Sequence, residues 1–251
     1  MSTPHYERDD VVNAHLAYHY PAPDRDPLAT ILGHRTPPIT ERFPFAVADL
    51  WEKRPGGRAL DIGCACGGMT LALARDFDEA VGLERSPVLL DAALAVARSG
   101  RAEYGVTVEG EVRESCDIAV TVPEGVAFVV GDALSVPYAS GAFDTVLALD
   151  LLDRVADPRR ALSEMTRLVA PGGTLIVSAP FAWQERFTPA AHRLGGFLRN
   201  GKPVHAWQAL PEIVGKRFSL QRELQVPFFM PHGARSGVLG LTWIHVYRRL
   251  N

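Results

Sequence analysis

The sequence predicts an α/β fold: a doubly wound, mostly parallel sheet with an antiparallel C-terminal strand pair and a helical N-terminal extension. Three observations carry this expectation. Short apolar runs at 58–62, 80–84, 126–130, 143–149 and 174–179 alternate with longer amphipathic stretches, as strands alternate with crossover helices in a parallel sheet. The first run leads through a glycine-rich turn, Gly63 to Gly68, into an apolar stretch at helical spacing. The second run closes on an acid, Glu84, which completes one βαβ unit.

Residues 1–49 read as an N-terminal helical segment contributing to a substrate pocket, and 50–251 as one domain with insertions at 101–125 and 180–207. Val11 to Tyr20 has helical spacing and is stopped by Pro21 and Pro23. A proline-rich connector follows, and Phe43 to Trp51 reads as a second helix. Arg58 to Ile62 is a buried strand, Met69 to Arg75 opens a helix, and Ala80 to Glu84 is the next parallel strand. Ser86 is placed to cap a helix that has Pro87 at its first position and runs to Arg98, with Leu89, Leu90, Ala93, Leu94 and Ala97 as its apolar stripe. Tyr104 to Val108 and Ile118 to Val122 alternate like the arms of an inserted hairpin, whose use the sequence does not reveal.

Val126 to Val130 and Phe143 to Leu149 are the third and fourth core strands, the latter ending at Asp150. Pro158 to Leu168 is a helix and Thr174 to Ala179 the fifth strand. The excursion 180–207 is long, aromatic and glycine-containing; leaving the ligand edge of the sheet, it reads as a substrate wall or lid. Ala209 to Lys216 is a closing helix. Phe218 to Val226 and Leu241 to Arg249 form the antiparallel pair, separated by a loop from Pro227 to Gly240.

Composition narrows the function classes. The 251 residues are 47% hydrophobic and 22% charged with a net charge of −3, an ordinary globular balance without the basic runs that nucleic-acid binding needs. No apolar stretch reaches the length of a membrane span, and an N-terminus rich in Asp, Glu and His is no signal peptide. Three cysteines, two of them in the glycine turn, suit free thiols and a cytoplasmic setting; no Cys/His spacing suggests a metal.

The turn itself carries chemistry. Asp61, Gly63, Ala65 and Gly67 give D-x-G-x-A-x-G, which is not the G-x-G-x-x-G of a dinucleotide site. A leading carboxylate would repel a pyrophosphate and suits a cationic, phosphate-free ligand, while Glu84 can accept both hydroxyls of a ribose. A glycine-rich turn in an unrelated α/β protein is the plainer alternative. The pattern resembles the first motif of the Rossmann-like S-adenosylmethionine methyltransferases, with alanine at the middle glycine. That resemblance implies S-adenosyl-L-methionine as cofactor and S-adenosyl-L-homocysteine as product. It assigns cofactor contacts to Asp61, Gly63, Cys64, Ala65, Gly67, Glu84, Arg85, Asp132, Ala133 and Asp150, with Asp132 of Gly131-Asp132-Ala133 accepting from the adenine amine.

Further segments sharpen the resemblance. Tyr18-His19-Tyr20, Arg42-Phe43-Pro44, Glu109-Gly110-Glu111, Leu151-Leu-Asp-Arg154, Pro180-Phe-Ala-Trp183-Gln-Glu185-Arg-Phe187-Thr188-Pro189 and Gly195-Gly196-Phe197 are similar to the C-terminal methyltransferase module of ovothiol biosynthesis. These are the 4-mercaptohistidine (5-thiohistidine) N-methyltransferases, and the similarity spans nearly the whole chain. It implies methyl transfer to the imidazole nitrogen beside the sulfur-bearing carbon, with Asp150, Glu185 and Tyr18 as catalytic residues. Tyr18, His19, Tyr20, Phe43, Phe181, Trp183 and Glu185 would line the substrate site, and Arg154 would pair with the substrate carboxylate.

Two departures stand out. The module usually follows a sulfoxide synthase in one polypeptide and here stands alone, so a separate sulfoxide or selenoxide synthase would supply its small amino-acid substrate. Gln184 and Arg186 also differ from the family's loop, and a selenohistidine would fit the same kind of pocket. Alternatives stay open at several residues: the Tyr18 cluster as a packing face, Arg154 as a salt bridge to Asp153 or Asp157, and Asp150 or Asp153 as a turn cap. A catalytically silent cofactor-binding module serving a partner enzyme is the alternative for the whole chain.

Overall fold

A computed structural model describes residues 5–22, 25–36, 38 and 41–251. Seven strands form one sheet: β1 (Arg54–Ile62), β2 (Phe77–Glu84), β5 (Val126–Val130), β6 (Phe143–Ala148), β7 (Val169–Ala179), β10 (Phe218–Gly233) and β11 (Ser236–Arg249). Their order is β10-β11-β7-β6-β1-β2-β5, the first five in sequence parallel and the last two antiparallel. The doubly wound α/β expectation holds. β1 is central, and the chain leaves it toward β2 and β5 before returning to β6 and β7 on the other side. That reversal opens a crevice beyond the carboxyl ends of β1 and β6.

Alternation along the strands builds two cores. On one face Leu60, Ile62, Val146 and Val177 pack against Leu162 and Met165 of α5 (Pro158–Leu168) and Leu210 of α6 (Ala206–Val214). On the other, Ala59, Leu147 and Ile176 meet Met69 and Leu73 of α3 (Gly68–Leu73), together with Phe43, Val47 and Trp51. A third cluster joins α1 (Asp9–His19), α4 (Pro87–Ser99) and the inserted hairpin β3 (Arg101–Glu109) and β4 (Val112–Ala119), while β8 (Phe197–Arg199) and β9 (Lys202–Val204) pair as a small hairpin within the excursion.

Capping sets several boundaries as expected. The Ser86 hydroxyl accepts from Leu89 N ahead of Pro87, and Asp157 accepts from Arg160 N ahead of Pro158. In α4 the fully buried stripe contains Val96, whereas Leu94 and Ala97 are half-buried.

Three expectations need correction. The connector after Pro21 contains a helix, α2 (Pro27–Leu32), started by Asp26 accepting from Leu28 N at 3.1 Å. Phe43 to Trp51 is no helix beyond a single 3-10 turn, Phe45–Val47. The stretch 227–240 is no loop: β10 and β11 pair continuously through it, from Val226↔Thr242 to Pro231↔Gly237. Pro227 and Pro231 are tolerated because β10 is the sheet's edge strand.

The hairpin β3–β4 has a use that its sequence did not disclose. Asn13 Oδ1 of α1 accepts from Gly105 N at 2.7 Å, and Tyr104 Oη donates to the Tyr20 carbonyl at 2.8 Å. Tyr20 Oη in turn donates to the Cys66 carbonyl at 2.8 Å. The insertion thus buttresses α1 over the glycine turn. Among the described residues no helix is long and apolar enough to cross a membrane.

Candidate active site

The crevice is a cavity of about 980 Å³, at the upper end for small-molecule sites and roomy enough for a cofactor beside a second small ligand. Its floor is the tip of β1 and the turn that follows. Gly63 N and Cys64 N donate to the Leu83 carbonyl at 2.7 and 3.2 Å, folding the turn back onto β2. Gly63, Ala65 and Gly67 all take positive φ, of 79°, 45° and 83°. Ala65 therefore holds the left-handed geometry that the resembled motif gives to glycine.

Two carboxylates dominate the floor. Asp61 is buried and accepts from Thr70 Oγ1 at 2.8 Å; burial and the neighbouring Glu84 charge push its carboxyl up to about 7 against that hydrogen bond. Glu84 is gripped by backbone: Oε2 accepts from Ala65 N at 3.0 Å, and Oε1 from Arg85 N and Ser86 N, both at 2.8 Å. Farther along, Asp132 Oδ1 accepts from Leu134 N at 2.9 Å, which fixes its turn beside Ala133 on the same wall. Asp61, Gly63, Cys64, Ala65, Glu84, Arg85, Asp132, Ala133 and Asp150 all line the cavity.

Gly67 does not line it. At φ 83° a Cβ there would lie 2.6 Å from Phe128 Cζ, so this glycine serves packing of the turn against β5. Gly67→Ala adds left-handed strain to a ring clash and is expected to destabilise the fold by roughly 2–4 kcal/mol. A fall in thermal midpoint of at least several degrees would show it.

Asp150 sits past the end of β6 at φ 50°, an uncommon backbone for a non-glycine residue. Its Oδ1 accepts from Ser178 Oγ at 2.9 Å and Thr242 Oγ1 at 2.5 Å. Burial raises its carboxyl to about 6, the two hydroxyl hydrogen bonds opposing and the Asp153 charge adding to the rise. Asp150 is thus the pocket residue. Asp153 is fully buried beneath the wall and pairs with Arg154 at 3.2 Å.

Aromatic side chains face these acids. Tyr18 lies edge-to-face with His19 at 5.9 Å and tilted to Phe43 at 6.4 Å, and all three line the cavity. Burial and the Asp150 charge drive the Tyr18 phenol well above its ordinary range. His19 Nδ1 accepts from Gly68 N at 3.1 Å, which leaves the ring proton on Nε2. Burial, with His15 nearby, lowers His19 to about 3, so it stays neutral.

The structure keeps four expected substrate residues out of the cavity lining. Tyr20 turns inward to the Cys66 carbonyl. Phe181 and Trp183, rings 5.9 Å apart, pack on the core beneath the loop. Glu185 is exposed and pairs with Arg193 at 2.8 Å. Arg154 does line the cavity, but Asp153 matches its charge, as one of its sequence alternatives had it.

Other linings were not foreseen. Phe228, Met230 and His232 project from β10 at a spacing of two, a strand signal masked by the flanking prolines. His5, Tyr6 and Arg8, ahead of α1, form a roof in which Tyr6 stacks on Phe187 of the excursion at 5.9 Å. Cys64, Cys66 and Cys116 are free and buried. Among the described residues no cluster of three or more His, Cys, Asp or Glu could hold a metal.

The donor set fits one cofactor. A buried acid held near neutrality calls for a cation beside it, and a carboxylate already aligned by three amides is ready for a diol. Comparison with known proteins agrees. Residues 60–177 match the family model described as a methyltransferase domain. Ajmaline N-methyltransferase of Rauvolfia serpentina is 33% identical over 174 residues, covering 67% of this chain and 52% of that protein. A probable chloroplastic tocopherol O-methyltransferase of Oryza sativa subsp. japonica is 33% identical over 141 residues, 55% of this chain and 33% of that one. The chain thus spans about half or less of the length of these relatives. A SAM-dependent methyltransferase from Methanosarcina mazei superposes with a TM-score of 0.55 at 19% identity, over 83% of this chain and 98% of that one, a likeness of fold. Residues 60–177 thus resemble a methyltransferase domain, carried on a sheet of Rossmann-like fold, and the donor set fits S-adenosylmethionine as cofactor.

Proposed function

We propose that this methyltransferase domain serves a cytoplasmic N-methyltransferase acting on the imidazole nitrogen of 5-thiohistidine. The observation that carries the reading is Asp150, a buried carboxyl with a pKa of about 6 in the cofactor crevice, facing Tyr18. An imidazole must present a neutral nitrogen to be alkylated and must shed a proton when it has been, and a group titrating there can take it. The resemblance of 18–20, 42–44, 151–154, 180–189 and 195–197 to thiohistidine methyltransferases supports the substrate. N-methyltransferases among the relatives support nitrogen as acceptor.

Asp61 would hold the cofactor's ammonium, Glu84 its ribose hydroxyls and Asp132 its adenine amine. When bound, the cofactor supplies a methyl group on a sulfonium. Everything else falls to the chain. Tyr18 and Phe43 fix the plane of the heterocycle so that nitrogen, not the more nucleophilic sulfur, points at the methyl. Such orientation is worth about 7–11 kcal/mol in well-aligned reactions. Asp150 holds the ring N–H and accepts its proton as the nitrogen is alkylated.

Purified protein given the cofactor and 5-thiohistidine is expected to yield the N-methyl product, identified by mass and by the position of the methyl in NMR. Absence of turnover, or an S-methyl product alone, would overturn the reading. A parallel assay with selenohistidine decides between sulfur and selenium.

A further inference from the structure

The roof end of the cavity is cationic, unlike its acidic floor. Arg8, Arg154 and Arg186 all line it, and His5 among them is lowered by burial and then by Arg186, Arg8 and Arg154 in turn. Two of these charges are matched: Arg8 pairs with Asp10 at 2.6 Å and Arg154 with Asp153 at 3.2 Å. Arg186 has no carboxylate partner among the described residues; Glu7 shares the wall but makes no ion pair with it, and Glu185 is taken by Arg193.

Arg186 is nevertheless held. Its guanidinium lies over the Phe187 ring at 4.6 Å, and its Nε donates to Gln184 Oε1 at 2.9 Å. Both Nη atoms are left without a protein acceptor among the described residues. A guanidinium stacked on a ring and fixed through Nε presents its two Nη donors as a ready fork, the geometry that reads a carboxylate by two parallel bonds. Gln184 and Arg186 both line the cavity and hydrogen-bond to one another there.

We infer that Arg186, positioned by Gln184 and Phe187, binds the ionised carboxylate of a free α-amino-acid substrate and so selects it over the corresponding amine. The inference rests on the imidazole-substrate reading above and adds the residue that reads the other end of the molecule. The basic roof then meets the substrate carboxylate, which stays outermost while the ring faces Asp150.

The test is calorimetric binding of 5-thiohistidine and of its decarboxylated amine to protein saturated with S-adenosylhomocysteine. Wild type is expected to prefer the amino acid by about ten- to hundredfold, the range for a charge-assisted hydrogen-bonded pair. Arg186→Gln should bind both ligands alike, and Arg186→Lys should recover only part of the preference, because an ammonium cannot fork. Unchanged affinity for S-adenosylhomocysteine certifies that each variant is folded. A preference that survives in Arg186→Gln, or a wild type that binds both ligands equally, overturns this inference and leaves the methylation reading standing. A wild type that binds neither overturns both.

Discussion

Asp61→Asn is expected to weaken binding of S-adenosylhomocysteine by about ten- to hundredfold and to erase its dependence on pH. The product keeps the ammonium that Asp61 is placed to meet, and its binding needs Asp61 ionised. With the carboxyl at about 7 in the empty crevice, wild-type affinity should fall roughly tenfold from pH 8 to pH 6. The sign follows from linkage: a cation bound to the carboxylate lowers its pKa, so binding releases a proton and is opposed by acid. The same displacement acts on the fold. A carboxyl raised above its unfolded value contributes stability below about pH 4 that is lost as pH climbs through 7, so the ligand-free protein should soften over that window and the ligand should restore it. Isothermal titration at three pH values checks the first effect, and an asparagine variant with the wild-type slope would refute the assignment.

Asp150→Asn should lower kcat by about a hundredfold or more, the share a positioned general base supplies. The change is close to isosteric. An amide oxygen can still accept from Ser178 and Thr242, so the wall keeps its shape while the proton acceptor is lost. At saturating cofactor, wild-type turnover should show an acid limb near or below pH 6, since the carboxyl lies at about 6 without ligands and a nearby cation pulls it down. The variant's residual rate should be flat there. An unchanged rate would remove Asp150 from the chemistry and leave it a binding residue.

What the sequence disclosed is local chemistry. Asp61, the glycine turn and Glu84 are legible because a βαβ unit sets their relation by spacing alone, and the Ser86-Pro87 and Asp157-Pro158 starts are legible because caps act over three residues. What stayed hidden depends on distant partners. Pro227 and Pro231 read as loop residues until β10 is known to be an edge strand, where a missing N–H breaks no ladder. Trp183 and Glu185 looked like site residues because their loop resembles a substrate loop. The backbone at Phe181, φ 53°, sends the loop on a course by which Trp183 packs on the core and Glu185 meets Arg193 outside. The stacking of Tyr6 on Phe187 joins the first described residues to the excursion, and no spacing in either segment announces it.

Glu84 ties the glycine turn after β1 to the start of α4 through amides of both, Ala65 on one side and Arg85 with Ser86 on the other. Two βα junctions therefore behave as one rigid plate, and neither can hinge without stripping a carboxylate of its donors. Traffic through the crevice is left to the seam where Tyr6, tied to the start of α4 by Ser86 Oγ donating to its carbonyl at 3.3 Å, meets Phe187 of the excursion by ring contact.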